Sequence, residues 1–92
     1  FVTGIAYNNL SDSFSIYPNP TNNNFTIDMK LLNKTEVEIS IYNLIGDIIY
    51  NTNYTNTNLI KKIIDTNNWQ SGIYIIQIKT PGKNYMSRVS VY

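Results

Sequence analysis

Between Glu36 and Tyr42 the chain alternates strictly: Val37, Ile39 and Ile41 fall on one side of an extended backbone, and Glu36, Glu38, Ser40 and Tyr42 on the other. A period of two is what a half-buried antiparallel strand imposes, and no helix gathers those residues on one face. The same rhythm recurs in Phe14 and Ile16, in Phe25, Ile27 and Met29, and in Tyr74, Ile76 and Ile78. It recurs again in Tyr85, Ser87, Val89 and Val91, set against Met86, Arg88, Ser90 and Tyr92. Helical spacing is sustained nowhere. The pattern predicts seven short strands, over 14–17, 25–30, 36–42, 48–52, 59–64, 73–80 and 85–92. Ile73 and Ile75 make the second face of 73–80 apolar as well, which predicts a central strand. Turn signals stand between the strands at Leu44-Ile45-Gly46-Asp47, Asp65–Asn68 and Pro81–Asn84, and the polar stretch 51–58 (NTNYTNTN) reads as a loop. Together these predict an all-β fold, an immunoglobulin-like antiparallel β-sandwich of about seven strands.

A chain of 92 residues, 42% hydrophobic and 13% aromatic, holds one core rather than two and is too apolar for disorder. Residues 1–13 are small or polar with weak periodicity and read as a linker from an upstream cargo region; 14–92 form the domain. There is no cysteine and no histidine, which removes the commonest general base, the thiolate nucleophile and nearly all zinc sites. The reading is therefore non-catalytic, with no cofactor and no metal. Seven basic and six acidic residues are scattered, for a net charge of +1, and supply no basic stripe for nucleic acid. No apolar run approaches the roughly 20 residues of a membrane span, so no membrane insertion is expected. The opening FVTGIAYNN lacks the charged and apolar regions of an export leader, which would have to lie upstream in a parent chain.

Few residues suggest chemistry. Glu36 and Glu38 share a strand face, which reads as a solvated surface. Trp69 and Tyr42 are possible sugar-stacking residues; the competing reading of Trp69, at a turn into a central strand, is a plug at the open end of the sandwich. Pro18 and Pro20 fix φ and donate to no ladder, so with Asn19 they end the first strand in a rigid corner. Gly46 serves the central hairpin and Gly72 the turn into the Tyr74 strand, where the tyrosine ring closes the core while its hydroxyl reaches the edge.

These segments, FSIYPNPTNNNFTI, VEISIYNLIGDIIY, IDTNNWQSGIYIIQIKT and a closing SRVSVY, resemble in order and spacing the type A C-terminal sorting domain of the type IX secretion system of Bacteroidota. The resemblance runs from about Phe14 to Tyr92. It departs in having Asn22-Asn23-Asn24 where many members have a glycine, Trp69 where many have leucine, and Tyr92 where many have lysine or glutamate. It implies a secretion signal that the outer-membrane translocon reads in the periplasm, with delivery of the cargo to the cell surface or medium. A sortase-like peptidase usually then cuts the domain off, here in the linker before Phe14. Arg88 resembles the basic residue that such domains carry near the end, followed by the apolar Val89 and Val91. With Lys83 and Tyr92 these are the expected partner-recognition residues, Arg88 being otherwise a solvated charge that guards a sheet edge. In this reading, loss of the last few residues abolishes export while the fold survives. The alternative from a different class is a carbohydrate-binding or adhesive accessory module, which predicts coplanar exposed aromatics.

Overall fold

Phe25, Ile27, Met29, Leu31, Val37, Ile39 and Ile41 are all buried, and all seven belong to one strand. In the computed structural model, which describes residues 12–92, this strand is β2 (Asn24–Tyr42). The others are β1 (Ser13–Tyr17), β3 (Ile48–Asp65), β4 (Gly72–Thr80) and β5 (Lys83–Val91), and no helix occurs among the described residues. Most of the predicted linker lies outside the described residues. Of its last two members, Ser13 opens β1 and Asp12 is tied down by its side chain.

The fold is all-β and antiparallel as the alternation predicts, but the strands among the described residues number five rather than seven, in one sheet. Segments 25–30 and 36–42 are two halves of β2, and 48–52 and 59–64 are two halves of β3. The β2–β3 ladder runs from Asn24↔Asp65 to Tyr42↔Ile48, broken only by register shifts. The predicted loop at 51–58 is therefore strand. Tyr50 and Tyr54 pack against the core while Asn51 and Asn53 stand opposite Ser40 and Glu38 on the outer side. Its polarity hid the alternation, because among the described residues β3 pairs with β2 alone, which leaves its other edge and its outer side unpaired. Asn56, at φ 52°, absorbs an irregularity that asparagine tolerates better than most residues.

β2 is the spine. β3 follows one of its edges throughout, while β1 (against 26–30) and β4 (against 38–42) share the other, and β5 pairs with β4. β4 is thus internal, as its two apolar faces predict. The two halves of the sheet curl over a common core, in which Phe25, Ile27 and Met29 join Ile76, Ile78, Val89 and Val91. The expected immunoglobulin-like sandwich of seven strands is replaced by this one curled sheet. The β2–β3 turn forms at the predicted place: Asn43 Oδ1 accepts from the Ile45 and Asp47 amides at 3.1 and 2.9 Å, and Gly46 takes φ +94°. The curl brings the two ends of the strand order face to face, with the Phe14 and Tyr85 rings edge-on at 6.2 Å.

Candidate functional site

The most elaborately built region is the seam where the chain after β1 meets β5. Pro18 and Pro20 carry no N–H, so the ladder with β2 stops at Tyr17. Asn19, between them, turns its side-chain amide onto β5: Nδ2 donates to the Arg88 carbonyl at 2.9 Å, and Oδ1 accepts from the Ser90 amide at 3.0 Å. A primary amide offers one donor direction and one acceptor direction much as a peptide unit does. Asn19 therefore fills the place of a strand residue that prolines on either side could not supply. Thr21 continues the seam with its backbone, donating to the Ser90 carbonyl at 2.8 Å and accepting from the Tyr92 amide at 2.9 Å. This makes a parallel bridge to Val91. The Thr21 hydroxyl, buried, donates to the Asn24 carbonyl and ties the corner to the start of β2.

The other end of the seam is closed by Asp12. Its Oδ1 accepts from the Leu32 amide at 2.8 Å, and its Oδ2 accepts from the Tyr85 hydroxyl and lies 3.5 Å from Lys83 Nζ. These partners, led by the Tyr85 hydroxyl, hold the Asp12 carboxyl below its ordinary pKa. Burial, and then the neighbouring carboxylate, push the Tyr85 phenol up to about 12.

The predicted recognition residues divide. Val89 and Val91 are 0% and 4% exposed, so they are core, while Arg88 of the same strand and Tyr92 just past its end are exposed. Lys83 sits at the opposite end of β5, beside Asp12. Asn19, read from sequence as part of a rigid corner with Pro18 and Pro20, is bonded to the backbone carbonyl of Arg88 itself. Gly72 (φ +152°) opens β4, and the Tyr74 hydroxyl donates to the Gln70 carbonyl at 2.6 Å, so the ring is buried and the oxygen reaches the edge as expected. Trp69 lies between Phe25 and Tyr74, with ring centroids 6.0 and 4.6 Å away, and packs on the core. Tyr42 lies on the outer side of β2, its hydroxyl 3.4 Å from Gln77 Oε1, so the two possible sugar-stacking rings are not brought together. Sequence reasoning missed Asp12, Thr21 and Tyr85. Asp12 fell in the linker, and a threonine or tyrosine carries no signal of a partner some 70 positions away.

Comparison with known proteins adds identity to this geometry. The family described as "Secretion system C-terminal sorting domain" matches residues 15–92. Two curated relatives align as well. An endo-acting ulvan lyase of Formosa agariphila is 27% identical over 75 residues, which is 82% of this chain. An ulvan lyase of Nonlabens ulvanivorans is 35% identical over 80 residues, or 86% of the chain. The chain spans only 14% of the length of either relative.

Proposed function

Because the chain belongs to the family of secretion system C-terminal sorting domains, which address proteins for export to the cell surface or extracellular space, we propose that it is the non-catalytic type IX address of a larger polypeptide. The translocon reads the outward side of β5, at Arg88 and Tyr92, once the seam has set that strand in register. The cargo lies upstream in the same polypeptide, and a sortase-like peptidase removes the domain by cutting before β1. The observation that carries this reading is the conjunction of the family match over 15–92 with the seam. The segment that resembles the family's Pro-Asn-Pro corner is hydrogen-bonded to the segment that resembles its closing strand. The relatives' lyase activities suit this division, since the matched length is a small part of each.

The test is a periplasm-directed fluorescent protein fused to residues 1–92 in a type IX-competent bacterium. Delivery to the surface or medium by the intact domain is expected, with retention of the Arg88→Glu, Tyr92→Asp double variant in the periplasm. Point changes are needed because removing the last five residues would also remove Val89 and Val91 from the core. Periplasmic retention of the intact fusion would refute the assignment.

A further inference from the structure

The β4–β5 half of the sheet carries on its outer side a line of side chains that neither the core nor the seam uses. Cα partners run Ile48–Tyr42 from β3 to β2, Tyr42–Ile75 from β2 to β4, and Ile75–Arg88 from β4 to β5. Directly opposed residues of antiparallel strands project to the same side. The four side chains therefore form a single row across the sheet, three apolar or aromatic and the last a guanidinium. Ile73 and Met86 flank the row, opposite Ser90 and Gln77 respectively. Ile48 and Met86 are 60% and 65% exposed, and Ile73 is 37% exposed. The other half of the sheet differs in its charges: its outer side carries the row Ser15, Asp28 and Lys61, in which opposite charges face one another between the exposed Leu59 and Ile63.

Scattered exposed apolar residues need no explanation, but a contiguous row bordered by one charge has the composition of an interaction surface. Among the described residues the ion pair present is Lys83–Asp12, and Arg88 has no carboxylate partner there. Its backbone, by contrast, is fixed by Asn19, which presents the side chain from a constant position.

We infer that this row docks an apolar protein segment that bears a carboxylate, with Arg88 binding the carboxylate and Ile73, Ile75, Tyr42 and Ile48 covering the apolar side chains. The inference rests on the sorting reading and gives the chemistry of the partner. Charge complementarity selects the occupant. One guanidinium at the border of an uncharged row matches one planar anion in bidentate geometry. A lipid surface is held instead by several basic residues around an apolar face. Here Lys79 stands opposite Glu38 and adds no net charge, so the row has a single net cation.

The test places a photoreactive benzoylphenylalanine at position 73 of the residues 1–92 reporter fusion in a type IX-competent bacterium, with position 59 on the other half as control. The expected result is a cross-link from position 73 that is absent from position 59. It should map by mass spectrometry to a protein segment with Asp or Glu close to the attachment point. Arg88→Glu should weaken it by about tenfold or more, as reversal of a contacting charge does, and Arg88→Lys by much less. Ile75→Thr, a strand-compatible change, should lower delivery of the reporter severalfold, while Ile63→Thr on the other half should not. Thermal melting of each variant chain checks that the fold is retained. A cross-link that maps to lipid, to a second copy of the domain or to a segment without a carboxylate overturns the inference, as does one indifferent to Arg88→Glu. Failure of the unmodified fusion to leave the periplasm would sink the sorting reading and this inference with it. Export of the unmodified fusion together with normal export of the Ile75→Thr and Arg88→Glu variants would sink this inference and the role given to Arg88, and leave the sorting reading standing.

Discussion

Replacing Asn19 by alanine removes two hydrogen bonds and nothing else of substance, since the side chain is exposed. A hydrogen bond contributes about 0.5–1.5 kcal/mol net, and solvent-exposed ones fall in the lower half of that range because water replaces the lost partner. The pair is thus worth about 1–2 kcal/mol. For a domain of this size each kcal/mol moves the melting temperature by about 4–8 °C, so Asn19→Ala should melt about 4–16 °C lower. The loss should be local in origin: hydrogen exchange at the Ser90 amide should accelerate by about tenfold, while the Ile76 and Ile39 amides follow only the global change. Asn19→Asp sharpens the test. It keeps an acceptor for the Ser90 amide but sets a carboxylate oxygen against the Arg88 carbonyl, where only a protonated carboxyl can donate. The new carboxyl's pKa is therefore raised in the folded state. Its deficit relative to the parent chain should be full near neutral pH, shrink as pH falls through that raised pKa, and be relieved below about 4, the unfolded value. Melting within 1–2 °C of the parent by Asn19→Ala, with Ser90 exchange unchanged, would refute the claim that this amide closes the sheet.

Three further outcomes follow from the same geometry. Asp12 titrates below its ordinary 3.8 in the folded chain. It should therefore contribute stability above that pH and lose it as acid protonates the folded carboxyl, and Asp12→Asn should flatten the acid limb of a melting-temperature profile. Tyr85 has the opposite sign: with the phenol held up to about 12 by burial and then by the Asp12 carboxylate, absorbance at 295 nm should show its ionisation moving down in Asp12→Asn by part of the shift, since burial remains. Gly46→Ala should destabilise by about 1–2 kcal/mol in denaturant melts. No atom crowds an added Cβ there, so the cost arises from φ +94° alone, and Gly46→Asn should cost less.

How much of this was legible in the sequence depends on the range of the interaction. The buried faces of β2, β4 and β5 were readable residue by residue, since period two dictates which side each residue takes and nothing in the fold overrides it. The β2–β3 turn was readable too, because Asn43 to Asp47 close it through their own atoms. The strand count was not. Residues 31–35 and 51–58 read as breaks between strands; Thr35↔Thr57 pairs one with the other and 51–54 pair with Val37–Ser40, so both stay extended as parts of one long ladder. Arg88 could be placed on the outward side of its strand, but nothing local marks Asn19 as its neighbour. Val89 and Val91 show the converse case. Alternation already put them opposite Arg88, and the family resemblance drew them into a recognition role that their burial denies to a folded domain.

The seam also imposes an order on folding. Asn19 is joined to residues 69 and 71 positions further along the chain, so the corner has no partner until almost the whole domain has left the ribosome. Contacts of such separation form late and slowly. A polypeptide that stops short of β5 would hold an open sheet, with the corner unpaired and Phe25, Ile27 and Ile76 uncovered, a state prone to aggregation and proteolysis. Closure of the seam is thus a record, written in backbone geometry, that translation ran through β5. An export apparatus that engages only the closed form inherits that proofreading without a separate check.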